Sequence, residues 1–305
     1  MEVLKSLFTI LIIVALGISS RKTKLFSKEH VKTLSSFVYY YGLPALFFTQ
    51  ISALDLASLD LHLITISVLP VLATILLLYT TKSIGLLSKE TFTLYSLSVA
   101  FGSHAFFGIA FFETLYDGKW LSQAVVTASA LGLIGIPLSI GLFEYATQEE
   151  KGGNFLVKII KNPLIIAIFL GLLSAKTGIH FEAINNALAT IGKSAGGIAI
   201  FSLGIFLYDN FFLDAAKSAI KQSLFRMFSL PLLTWLLLAL GIGSQSQEIN
   251  QFLFLQSGIP AAVSLVVFAE RYQYKLPQIT GMVLLTSILS FIELFSLAFL
   301  ADLIL

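Results

Sequence analysis

Two segments of this 305-residue chain place polar side chains and helix-breaking residues inside long apolar runs. One reads Ala100-Phe-Gly-Ser-His-Ala-Phe-Phe-Gly108 and the other Leu255-Gln-Ser-Gly-Ile-Pro-Ala261. If both runs lie in a membrane, the helix breaks near mid-depth. Non-helical backbone survives there only when buried in protein or lining a wet cavity. Pro260 lacks an N–H and suits the first turn of a new half-helix, with Ser257 or Gly258 before it as a cap. Two half-helices starting there would aim free N–H groups and positive dipole ends at one place, which suits a carboxylate. The residues expected to contact a polar or anionic substrate are Gly102, Ser103, His104, Ser257, Gly258 and Pro260. A kink that serves packing alone is the alternative.

Charged groups inside apolar runs are few, and each is a candidate. His104, at the first break, can donate to an anion or carry a coupling proton; a neutral imidazole satisfying broken backbone is the other reading. Lys193, in Gly192-Lys-Ser-Ala-Gly-Gly197, is a further substrate-binding candidate as counter-charge, or snorkels to the headgroups. Glu113 and Glu144 fall near run ends. Glu293 lies deeper, where pairing with Lys193 or protonation would serve it.

Other chemistries are excluded by residue type. There is no Cys, so thiolate nucleophiles, thiolate metal sites and disulfides are out. The four His, at 30, 62, 104 and 180, form no cluster for a metal. No His-Glu-x-x-His occurs, and Gly192-Lys-Ser194 lacks the Gly that a phosphate loop needs where Ala187 stands. The chain reads as a non-enzyme without cofactors. A net charge of +2 points to no nucleic-acid partner.

The elements that must position these residues are membrane helices. Only 12% of residues are charged and 57% are hydrophobic, too little charge to cover a soluble domain. Ten runs are long enough to span, near 3–19, 31–51, 61–80, 92–116, 120–145, 155–175, 184–208, 217–242, 249–272 and 278–305. The loops are short, and even Thr147–Asn154 could not fold alone. The first run reads as a span, because no small-x-small cleavage site clearly precedes Arg21-Lys22.

Lys and Arg fall unevenly. Fifteen lie after odd-numbered runs, among them Arg21, Lys22, Lys24, Lys82, Lys151, Lys217, Arg226 and Lys275. The other side has Lys5, Lys119 and Lys176. Odd loops are therefore expected in the cytoplasm, with both termini outside.

The chain also repeats itself. Pro70 and Pro231 stand 161 positions apart, Gly102 and Gly258 156 apart, and Gly42-Leu-Pro44 has its counterpart in Gly196-Gly197. The expected division is a first five-helix repeat at 1–147, a cytoplasmic connection at 148–154 and a second repeat at 155–305. A unit with five crossings must be followed by an upside-down copy. Inverted repeats with interrupted helices at matching places mark secondary transporters. The fold class expected is all-α, polytopic, with interrupted runs four and nine crossing.

Taken in order, Gly42-Leu-Pro-Ala-Leu-Phe-Phe48, Ala100-Phe-Gly with Phe106, Gly108, Glu113 and Leu115, Asn162-Pro163 with Gly171-Leu-Leu173, Gly192 with Leu203-Gly204, and Ile259-Pro-Ala261 with Ala269-Glu-Arg-Tyr272 resemble the auxin efflux carrier family. The likeness spans nearly the whole chain, and the short central loop is similar to the bacterial, malonate-transporter-like branch. It implies ten helices in two inverted repeats, related to bile acid/sodium symporter-like folds, with a scaffold and a moving transport unit. Three positions depart from the pattern: Ser103 where the family often has Asn, Ala110 where it often has Pro, and Gly197 in place of a usual Pro.

The expectation is a secondary carrier of small organic anions in a bacterial-type inner membrane, coupled to H+, to Na+ or to nothing. Its partners would be the anion and the lipid bilayer, with a homodimer left open. A non-transporting membrane sensor or scaffold is the competing class.

Overall fold

The computed structural model describes residues 2–54, 56, 60–147, 161, 163–179, 181–210 and 213–304, and these are helical almost throughout. Among them there is no β-strand, only an isolated antiparallel bridge between Gly102 and Ala261. The helices are α1 (Glu2–Lys22), α2 (Lys28–Phe37), α3 (Leu43–Ser52), α4 (His62–Ser83), α5 (Lys89–Ala100), α6 (Ile109–Thr114) and α7 (Leu121–Thr147). They continue with α8 (Pro163–Thr177), α9 (Glu182–Lys193), α10 (Ala195–Asn210), α11 (Leu213–Ala239), α12 (Gln247–Ser257), α13 (Ser264–Tyr272) and α14 (Leu276–Ile304).

Five helical stretches among the described residues are long and apolar enough to cross a membrane: His62–Ser83, Leu121–Thr147, Glu182–Asp209, Lys217–Ala239 and Leu276–Ala301. The second, fourth and ninth apolar runs are instead divided. A wide turn at Val38–Gly42 separates α2 from α3, and another at His104–Gly108 precedes α6. The first of these stands just before Pro44, whose missing N–H cannot join the regular ladder. Part of the sixth run, the expected connection 148–154, and Lys151 and Lys158 lie outside the described residues.

The chain forms two compact units. One comprises 1–60, 105–129 and 153–210, the other 61–104, 130–152 and 211–305. Each draws on both halves of the sequence.

In the first unit α1 runs against α10 through glycines. A Cβ added at Gly17 would lie 2.2 Å from the Phe201 carbonyl oxygen, and one at Gly204 would lie 2.2 Å from that of Val14. Small residues allow this close approach where lipid supplies no hydrophobic driving force. Arg21 Nε donates to both carboxylate oxygens of Asp209 at 2.8 Å, tying the ends of the same two helices. Gly171 meets Ile51, and Gly192 meets the backbone of Leu46, so α8 and α9 pack on α3. The core there holds Leu43, Leu46, Phe47, Ile51, Ile168 and Ala199.

The second unit packs α4, α5, α11, α13, α14 and the later part of α7 around Leu97, Phe143, Ala261, Leu265, Ala269 and Val283. Phe143 stacks on Tyr272, ring centres 5.5 Å apart. Thr74 and Ser223 donate back to their own helices, to Pro70 O at 2.7 Å and Ala219 O at 2.9 Å, whereas the Ser96, Ser139 and Ser229 hydroxyls are buried without a partner. Leu76, Leu77, Phe228, Ile292 and Phe299 remain exposed. Large apolar side chains on the outside suit a lipid solvent.

Candidate functional site at the helix crossover

The crossover lies within the second unit. Each helix that leads to it starts with a serine cap. Thr91 N–H donates to Ser88 Oγ at 3.1 Å, and Ile249 N–H to Ser246 Oγ at 3.4 Å. Each carries a glutamate in its first turn, Glu90 and Glu248, where negative charge complements the dipole. α5 ends at Ala100, and Phe101 turns extended at φ −141°, ψ 114°. α12 ends at Ser257, followed by Gly258.

Residues 101–103 and 260–262 then pass each other antiparallel. Ser103 N–H donates to Pro260 O at 2.8 Å, and Ala262 N–H to Phe101 O at 3.1 Å. Ala261 N–H donates to Thr286 Oγ1 at 3.2 Å, whose own proton goes to Met282 O at 2.9 Å. The interruption thus satisfies its backbone groups within protein, as apolar depth demands. Pro260 belongs to this extended segment; it does not open the next half-helix, which begins at Ser264. Ser257 is the last residue of α12, seven positions before the next helix, so it does not stand at that helix's start, and its hydroxyl donates back to Phe254 O at 2.6 Å.

One residue clamps the crossing. Arg226 of α11 is only 2% exposed. It donates from Nη1 to Ser98 O at 2.5 Å, from Nη2 to Ile259 O at 2.8 Å and to Pro260 O at 3.4 Å, and from Nε to Ile259 O at 3.3 Å. Ser98 lies in the last turn of α5, while Ile259 and Pro260 follow the end of α12, so the cation stands beside two helix C-termini, whose dipoles favour positive charge.

Gly102 makes the approach possible. A Cβ there would fall 2.4 Å from His104 Nε2 and 2.6 Å from Arg226 Nη2. His104 is 8% exposed and its Nδ1 has no partner. On the far side a Cβ on Gly258 would meet Leu297 Cδ1 at 2.5 Å and stand 3.5 Å from the Glu293 carboxyl carbon. Glu293 Oε1 is buried without a partner, as is Gln222 Oε1 one turn before Arg226. Gln256, 3% exposed, accepts from Ser67 Oγ at 3.4 Å.

Of the sequence candidates, Gly102, Ser103, His104, Gly258 and Pro260 come together here, with Ser257 one residue away. Lys193 belongs to the first unit, exposed in the last turn of α9, where its electrostatic partner is Glu113. Glu293 is acted on by Arg226; it is not paired with Lys193. Sequence reasoning placed Arg226 among the loop cations, although it stands nine residues beyond Lys217, about 14 Å along a helix. A guanidinium flanked by Phe225 and Met227 was the available signal.

Comparison with known proteins defines the class. The family model described as "Membrane transport protein" matches residues 2–152 and 151–299. The chain belongs to this family, the auxin efflux carrier family its motifs resemble, and is a multi-pass membrane protein of the transporter class. It is 23% identical over 278 residues to the "Uncharacterized transporter YfdV" of Escherichia coli K12, covering 87% of each chain. The proteins of that name from Escherichia coli O157:H7 and Shigella flexneri match equally.

Proposed function

We propose that the protein is a secondary carrier of small organic anions, carboxylates similar to auxin or malonate, that works by alternating access with the substrate at the crossover. The observation that carries this reading is the bonding of Arg226 to Ser98 at the end of α5 and to Ile259 and Pro260 just beyond the end of α12. Each helix end carries about half an elementary charge. The guanidinium offsets the two negative ends, which leaves the positive starts of the turn at His104 and of α13 uncompensated. Their sum is close to one positive charge, which a single carboxylate would balance. His104, with a free ring nitrogen beside Gly102, is the side chain suited to fix the anion's orientation. Ser103 and Gly258 line the same crossing; Lys193 stays a proposed counter-charge of the first unit.

The proposed organisation is two inverted five-helix repeats, 1–147 and 155–305. It is supported by the matched serine caps, Ser88 and Ser246, 158 positions apart. It is supported too by how the units draw on the sequence. The first takes runs one and two together with six and seven, the second takes three with eight to ten, and runs four and five are divided between them after residues 104 and 129. The unit that holds the crossover is the proposed moving element of an elevator-type cycle. The chain lies in the inner membrane with both termini outside.

The test is uptake of labelled malonate and indole-3-acetate into proteoliposomes. A carrier saturates and shows counterflow when the vesicles are preloaded with the same anion. Saturable uptake of either, lost in Arg226→Leu, is expected; a membrane sensor or scaffold would show neither saturation nor counterflow.

A further inference from the structure

Glu293 has no assigned task in the transport reading, yet its carboxyl borders the second interrupted helix. It stands on α14, which packs on α11, α12 and α13. From α11 it faces Arg226, the one charged group acting on it among the described residues. From α12 the nearest neighbour is Gly258, without a side chain. The single charged side chain described on α12, Glu248, stands in its first turn, ten residues from Gly258. On α13 Tyr272 is engaged with Glu144 through a hydroxyl bond of 3.1 Å.

Arg226 is committed to backbone carbonyls, and no ion pair joins it to Glu293 among the described residues. No donor holds Glu293 Oε1, so a proton arriving on that oxygen displaces no existing bond. The charge balance then has two settings. With Glu293 ionised, its negative charge cancels the surplus left by the two helix starts, each about half a charge. With Glu293 protonated, the surplus returns and an anion is attracted. His104 Nδ1, more than nine-tenths buried and unpartnered, marks the same place as one prepared for a ligand.

We propose that Glu293 is a proton-binding site linked to anion occupancy at the crossover, so that the carrier takes up one proton with each carboxylate. The proposal rests on reading the crossover as the anion site. The step balances without a co-reactant: a proton from solution joins Oε1 as the anion arrives, and both leave on the other side. Because linkage is reciprocal, bound anion must also raise the affinity of Glu293 for its proton.

Two measurements separate this proposal from the reading beneath it. The first is infrared difference spectroscopy of the purified protein between about pH 4 and about pH 9, from the ordinary carboxyl range upward. A protonated-carboxyl C=O band should appear on acidification, vanish in Glu293→Gln and return, shifted, in Glu293→Asp. A wild type without such a band, or a band unchanged in Glu293→Gln, overturns the proposal whatever the substrate. The second is binding of malonate and indole-3-acetate followed by thermal shift. Wild-type affinity should fall by up to about tenfold per pH unit on the alkaline side, the limit for one linked proton. Glu293→Gln should bind as tightly as acidified wild type with no pH slope. Equal slopes in both overturn the linkage. If neither anion binds wild type, the carboxylate reading fails for those probes, and the infrared band alone decides Glu293.

Discussion

Arg226 shows how one buried charge can be held without a counter-ion. Its planar fork meets three carbonyl oxygens, Ser98 at the end of α5 and Ile259 and Pro260 just beyond α12, a geometry that a single ammonium cannot reproduce. Arg226→Leu should lower unfolding stability in detergent by on the order of 3 kcal/mol, since hydrogen bonds to charged groups are among the stronger ones. Arg226→Lys should keep the charge but regain under half of that loss. A Lys variant as stable as wild type would mean that charge alone, without the fork, holds the crossing. The local pattern Phe225-Arg226-Met227 contains the residue but not its partners, because the carbonyls it binds lie 128 and 33 positions away.

At the scale of elements, glycines decide which helices touch. Gly258 accommodates the end of Leu297, a flexible side chain, whereas Gly204 accommodates the backbone of Val14. Gly258→Ala should therefore be mild and be relieved by Leu297→Ala, measured as the thermal midpoint of single and double variants. Gly204→Ala cannot be relieved by trimming a side chain and should cost about 1–3 kcal/mol, the usual range for overpacking. If Leu297→Ala fails to restore Gly258→Ala, the two residues are not in contact. The breaks at Gly102 and Gly258 could be read from composition. Where the next half-helix starts could not: Pro260 favours a first turn locally, but its carbonyl is taken by Ser103 across the crossing, which keeps the segment extended until Ser264.

For the whole molecule, orientation is the open quantity that charge decides. With Arg226 buried, fourteen loop cations remain on the side of the odd-numbered connections against three opposite, and the asymmetry predicts a cytoplasmic face for Lys22. The absence of native Cys makes the measurement clean. An impermeant thiol reagent added to whole cells should label Lys119→Cys and spare Lys22→Cys; the reverse pattern would invert the topology. Sequence alone determined that the chain lives in a bilayer, that it belongs among carriers, and that its fourth and ninth runs break. The first and third follow from composition and from local backbone preference, which act residue by residue; the second rests on ordered motifs that resemble a family. Only the tertiary structure decided that Arg226 and Glu293 join Gly102, His104 and Gly258 at one crossing. Charges on separate helices acquire a common site only through packing, which no local pattern encodes.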